Sequence, residues 1–123
     1  MARILIVEDN EMNLDMLSRR LERQGHAVLS ATDGPAGIAA AESEQPDVIL
    51  MDLSLPEMDG WEATRRLKAA EPTKHIPVIA LTAHAMESDR ARALAVGCDD
   101  FATKPIDLAQ LLSQIAAVTG SQT

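Results

Sequence analysis

The sequence predicts an α/β fold, a doubly wound (βα)5 three-layer sandwich on a five-stranded parallel sheet in the order 2-1-3-4-5. Three observations lead there. Five short apolar runs alternate with amphipathic stretches along the whole chain, the rhythm of strand and crossover helix. The first, third and fourth runs are almost wholly aliphatic, as parallel strands covered on both faces must be. The chain has 123 residues, enough to bury one such core and too few for this unit plus a second domain.

The first run, Ile4–Val7, leads to a stretch with Leu14, Leu17 and Leu21 on one side and Asp15, Arg19 and Glu22 on the other, and Gly25 stops it. That pattern is a surface helix with one apolar stripe. The second run, Val28–Ala31, leads to a helix opening at Pro35, whose locked φ and missing N–H suit a first helical position. After Val48–Met51, Asp59 and Glu62 have the spacing of a capping box for the third helix. A fourth helix follows Val78–Leu81 and ends at Gly97. After Asp100–Thr103, Asp107 with Gln110 repeats the capping-box spacing before a last helix carried by Leu108, Leu111, Leu112 and Ile115. One domain over residues 1–119 is expected, with a short polar tail over 120–123.

Ser30 in the second run, and Asp100 and Thr103 in the fifth, suit the edges of the sheet. The resulting strand order is flavodoxin-like, and in such sheets ligands enter a crevice beyond the carboxyl ends of the strands, where the first and third diverge.

Composition narrows the function. The formal net charge is -8, which disfavours direct binding to nucleic acid or an anionic membrane, since both need lysine and arginine to offset phosphate. Proteins and cations are the expected partners. No apolar stretch approaches the roughly 20 residues that cross a bilayer, and the amino-terminal MARILIVEDN carries acids where a signal peptide needs its cleavage region, so a cytoplasmic location is expected. Cys98 is the only cysteine; it excludes an internal disulfide, lacks metal-ligand neighbours at useful spacing, and is read as packing.

Chemistry gathers at the strand ends. Glu8 and Asp9 directly follow the first run and Asp52 follows the third, so neighbouring strands deliver three carboxylates to one crevice. Like charges that close either hold a proton on one carboxyl or recruit a cation. Oxygen ligands favour a hard divalent ion, and an open site with few carboxylates suits Mg2+ better than calcium. Thr82 stands at the end of the fourth run with a hydroxyl able to donate to a phosphoryl oxygen, and Lys104 follows the fifth with an ammonium able to offset developing charge. Singly these residues are ordinary loop polarity. In order, each after a separate strand, they form a set suited to phosphoryl transfer.

The sequence resembles the response-regulator receiver domain over essentially its whole length, through LIVEDN, ILMDLSLPEMDG, VIALTAHAM and DDFATKP, and looks most like the single-domain receivers. The resemblance implies that Asp52 is the phosphorylated aspartate. It makes Asp9 a direct magnesium ligand, Glu8 a partner through water and Ser54 a ligand through its backbone carbonyl. Thr82 and Lys104 would bind phosphoryl oxygens, and Lys104-Pro105 matches a bond that is usually cis in the family. In the family the residues two beyond the aspartate and two beyond the threonine tune the phosphoryl lifetime; here they are Ser54 and His84, the latter also readable as an exposed loop residue. The family pairs the threonine with an aromatic three residues before the lysine, here Phe101. Phosphate would draw Thr82 inward and let Phe101 turn in behind it; a Phe that simply packs on an edge strand is the alternative.

The function implied is a phospho-acceptor switch. Asp52 would take a phosphoryl group from a phosphohistidine on a histidine kinase or histidine phosphotransfer protein in a magnesium-dependent reaction, and contacts with a downstream target protein would change. Such a chain catalyses its own phosphorylation and dephosphorylation without being an enzyme in the turnover sense. A receiver belonging to a hybrid histidine kinase and a non-phosphorylated interaction module are the alternatives. A haloacid-dehalogenase phosphatase wants a second acid two residues beyond its aspartate, where this chain has Ser54, and a flavodoxin needs a Ser/Thr/Gly-rich phosphate loop where this chain has Glu8-Asp9-Asn10. Trp61 is read as a packing anchor for the third helix, close enough to the crevice to report metal binding. Met12 and Met16 are read as core filler in preference to a docking face. His26 and His75 are given no role.

Overall fold

A computed structural model of the chain describes residues 2–55, 58–83 and 87–120, with the backbone alone over 87–90. The elements run β1 (Arg3–Val7), α1 (Glu11–Arg23), β2 (Ala27–Ala31), α2 (Gly34–Glu44), β3 (Val48–Asp52), α3 (Gly60–Ala69), β4 (Val78–Thr82), α4 (Glu87–Ala95), β5 (Asp100–Thr103) and α5 (Leu108–Thr119). All four strand pairings are parallel and the sheet order is β2-β1-β3-β4-β5, as the aliphatic and polar runs predict.

Alternation along each central strand builds the three layers. Leu5, Val7, Ile49, Met51, Val78 and Ala80 face one core, which Ala41 of α2, Ala63 and Leu67 of α3 and Ala93 of α4 complete. Ile4, Ile6, Val48, Leu50, Ile79 and Leu81 face the other, closed by Leu21 of α1 and by Leu111 and Ile115 of α5. β1, β3 and β4 are buried almost throughout, whereas β2 and β5 are partly open and carry the polar Ser30, Asp100 and Thr103 at exposed or half-buried positions.

Several boundaries and caps differ from expectation. β3 and β4 each run one residue further, because Asp52 pairs with Leu81 and Thr82 with Thr103 in the ladder; these two residues end strands and do not merely follow them. α2 begins at Gly34, one residue ahead of Pro35, since the Asp33 carboxylate caps the helix by accepting the Ala36 N–H at 2.8 Å. Asp59 caps α3 by accepting the Glu62 N–H at 2.9 Å, but the Glu62 carboxylate does not complete a capping box: it is held by Arg65 at 2.6 Å and Arg66 at 2.8 Å. Asp107 caps α5 through the Gln110 N–H at 3.2 Å. Gly25 and Gly97 close α1 and α4 with φ of 90° and 104°, in the left-handed region that glycine enters without steric cost.

Met12 and Met16 are not core filler. They are 76% and 50% exposed, because the buried stripe of α1 runs through Leu14, Leu17 and Leu21 and leaves both methionines off it. Trp61 packs against the α2–α4 core as an anchor for α3. His26, given no role above, accepts the Ala2 N–H on Nδ1 at 3.0 Å and tethers the start of β1. Cys98 is buried, and burial pushes its thiol up to about 11.

Candidate functional site

The carboxyl ends of β1 and β3 bring Glu8, Asp9 and Asp52 together so that one carboxylate oxygen from each lies within 4.8 Å of the others. Ladder bonding fixes the spot: the Glu8 N–H donates to the Ala31 carbonyl at 3.0 Å and the Leu53 N–H to the Leu81 carbonyl at 3.0 Å, so the first residue beyond each strand is still held by its neighbour. Glu8 and Asp52 are 4% and 2% exposed while Asp9 stands at the open mouth.

Lys104 arrives from the end of β5. Its ammonium lies 3.0 Å from Glu8 Oε1 and 3.5 Å from Asp52 Oδ2, and its backbone N–H donates to the Thr82 carbonyl at 2.6 Å. The Lys104-Pro105 peptide is cis. Ser54 donates its N–H to Asp52 Oδ1 at 3.0 Å, and Asn10 donates its N–H to Glu8 Oε2 at 3.3 Å. Every carboxylate oxygen of Glu8 and Asp52 thus has a neighbouring donor.

Burial, and then the adjacent Asp52 carboxyl, push the Glu8 carboxyl up to about 7 against the lowering pull of Lys104. Burial works against the charged Lys104 too, but the hydrogen bond to Glu8 and the Asp52 charge outweigh it and hold the ammonium above its ordinary range.

This donor set fits a hard divalent cation. Three carboxylates facing one ammonium leave a net negative charge when all are ionised, the ligands are oxygens, and the mouth at Asp9 leaves room for retained water. Glu8, Asp9 and Asp52 are the residues that would hold magnesium.

Of the residues singled out from sequence, Glu8, Asp9, Asp52 and Lys104 meet at one point. Thr82 is 4% exposed at the end of β4, on the strand next to Asp52. Ser54 reaches the cluster through its N–H. Phe101 pairs with Ala80 in the ladder, packs half-buried against the α2–α4 core, and has its carbonyl held by Gln114 Nε2 at 2.9 Å. His84 lies outside the described residues.

Two contributors escaped the sequence reading. Asn10 both caps α1, by accepting the Asn13 N–H at 3.0 Å, and donates to Glu8. An Asn just before a helical stripe was the available signal. Gly60 is the other: a Cβ there would run into the Asp52 carbonyl oxygen and sit 2.7 Å from Leu53 Cα.

The fold and site define a doubly wound parallel α/β protein with buried acids and a lysine at the carboxyl edge of its sheet, and comparison with known proteins gives the family. The chain belongs to the response regulator receiver domain family of two-component signalling, whose model matches residues 4–116. It is 44% identical over 118 residues to Protein PilH of Pseudomonas aeruginosa, covering 96% of this chain and 98% of PilH. It is 42% identical to Response regulator PleD of Caulobacter vibrioides over 96% of this chain, and it spans 26% of PleD's length. Among solved structures, the receiver domain of the sensor histidine kinase PA1611 from Pseudomonas aeruginosa PAO1, which has a magnesium ion coordinated in its active site cleft, superposes with a TM-score of 0.89 at 38% identity over 98% of both chains.

Proposed function

We propose that this chain is a phospho-acceptor switch in which Asp52 takes a phosphoryl group from a phosphohistidine on a histidine kinase or histidine phosphotransfer protein, with Mg2+, and thereby changes contacts with a downstream target protein. One observation carries the reading: the Lys104 ammonium stands 3.5 Å from Asp52 Oδ2 inside a pocket that also gathers Glu8 and Asp9.

In the transfer, an oxygen of the Asp52 carboxylate forms its bond to phosphorus while the bond from phosphorus to the imidazole nitrogen breaks, and that nitrogen leaves with the electron pair. The Ser54 N–H on Oδ1 orients the carboxylate. Lys104 offsets charge on the phosphoryl oxygens and the Thr82 hydroxyl donates to one of them. Glu8, Asp9 and Asp52, with the Ser54 carbonyl, would hold magnesium, which when bound neutralises further charge on those oxygens. Hydrolysis of the acyl phosphate returns Asp52 to its carboxylate, so the protein acts as a timed switch rather than a turnover enzyme. Thr82 and Phe101 would carry the change to the surface of α4, β5 and α5.

A groove lined by Met16, Leu17, Leu81, Pro105 and Ile106 opens directly beside Glu8 and Lys104. An exposed apolar surface at that place is suited to receive the protein that carries the phosphohistidine. The charge of -8 supports protein partners and cations over direct contact with nucleic acid or membrane. No helix among the described residues is long and apolar enough to cross a membrane, and we place the chemistry in the cytoplasm. The likeness to the PA1611 receiver favours a second setting for the same chemistry, a module carried on a hybrid histidine kinase.

The test is intact-protein mass after incubation with Mg2+ and acetyl phosphate. One added phosphoryl group, absent from Asp52→Asn and from a chelator control, is expected. No gain from acetyl phosphate or from competent phosphohistidine donors would favour the non-phosphorylated interaction module.

A further inference from the structure

We propose that Trp61 and Arg92 tie helix α4 to the backbone of Asp52, and that the stack between their side chains restrains α4 in the position it holds before phosphorylation. The inference rests on Asp52 being the acceptor, and it describes a route to α4 separate from Thr82 and Phe101.

The route begins with the absence of slack at Gly60. The first residue of α3 sits so close to the end of β3 that even a methyl group would overlap the Asp52 carbonyl oxygen, and the Gly60 N–H reaches the Leu53 carbonyl at 3.4 Å. The Asp59 cap on the Glu62 N–H makes this first turn rigid. A shift of the Asp52 backbone is therefore passed to α3 rather than absorbed between them.

Trp61 is the next residue. Its ring packs half-buried on the α2–α4 core, so it moves with the turn that carries it. The Arg92 guanidinium carbon lies 4.4 Å from the ring centroid, a cation–π contact between the first turn of α3 and the last turn of α4. Over residues 91–95 of α4, Ala93 is the buried side chain, and Leu94 is 52% exposed. Over this described stretch an alanine offers little surface to lock the helix in register, so the cation–π contact adds directly to what holds this end of α4.

A restraint present in one state opposes the transition to the other, and removing it favours whatever ligand selects the second state. The stack is at an exposed position, where loss of a cation–π contact corresponds to about a two- to five-fold shift in an equilibrium.

The test is titration of the full chain, in Mg2+, with beryllofluoride as the phosphoryl stand-in, following α4 amides by NMR. Arg92→Gln should saturate at a two- to five-fold lower beryllofluoride concentration, Arg92→Lys should stay near the native midpoint, and adding Arg92→Gln to Trp61→Leu should change nothing further. An unchanged midpoint in Arg92→Gln, or a full effect in the Trp61→Leu background, would overturn the proposal. Hydrogen exchange without any ligand separates the two levels of failure. Arg92→Gln should speed exchange of α4 amides in both the native and the Asp52→Asn backgrounds, and unchanged exchange sinks the restraint itself. Faster exchange in a chain that never responds to beryllofluoride would instead remove Asp52 as acceptor, and the link to phosphorylation with it.

Discussion

Lys104 and Glu8, 96 positions apart in sequence, form a 3.0 Å ion pair beneath the mouth of the acidic pocket, and the same ammonium reaches Asp52 at 3.5 Å. One cation thus serves two buried acids. It lowers the cost of keeping them charged, and it also competes with any metal for the same oxygens.

Replacing Lys104 should therefore act with opposite signs on two measurements. In Lys104→Met the acids lose their internal counter-charge, so Mg2+ should bind more tightly, by several-fold in isothermal titration calorimetry. Phosphoryl uptake from acetyl phosphate should nevertheless slow by about 100-fold, in line with the loss of one group that stabilises transition-state charge. Parallel losses of both would mean that Lys104 only supports the fold.

The Glu8 carboxyl, pushed up to about 7, sets a pH dependence. Its folded-state pKa lies above the ordinary carboxyl value of 4.5, so the native metal-free chain holds a proton that the unfolded chain releases. The corresponding stability is full below 4.5 and is lost as pH rises through about 7, so with a chelator present thermal unfolding should move to lower temperature across that window. Mg2+ affinity should run the other way and weaken on acidification below about 7, since the ion competes with that proton. Both slopes should flatten in Glu8→Gln.

Gly60→Ala tests the close packing behind Asp52. The new methyl has no space against the Asp52 carbonyl and Leu53, and overpacking of this kind costs about 1–3 kcal/mol. Denaturant unfolding should show that loss, with slower phosphoryl uptake as β3 and α3 move apart. A stable variant of native reactivity would show that the turn can yield.

Met16 separates docking from chemistry. It is exposed on the groove beside Lys104 and is not one of the three clustered acids, so Met16→Lys should slow transfer from a phosphohistidine protein by about ten-fold while leaving uptake from acetyl phosphate unchanged. Equal loss with both donors would place Met16 in the chemistry instead.

Cys98 should resist alkylation. With the thiol buried and pushed up to about 11, iodoacetamide at neutral pH should label the folded chain far more slowly than the chain in denaturant. Comparable rates would mean that the α4–β5 junction opens readily.

Sequence alone carried the architecture and most of the site because both depend on local signals that repeat. Aliphatic runs declare strands buried on both faces, and the polar residues that end them are where side chains reach solvent, so Glu8, Asp9, Asp52, Thr82 and Lys104 could be named one strand at a time. The tertiary structure decided what depends on residues far apart meeting. Asp52 ends a strand because Leu81 pairs with it, Glu8 is pushed toward neutrality because it is buried beside Asp52, and Gly60 matters because α3 starts against the Asp52 carbonyl. Met12 and Met16 were misplaced for a related reason: hydrophobicity indicates what a side chain would gain by burial, but the rotation of α1 about Leu14, Leu17 and Leu21 determines which side chains are buried. Charge, spacing and periodicity are properties of the chain, whereas burial and pairing are properties of the packed molecule, and it is the packed molecule that sets each group's pKa and its neighbours.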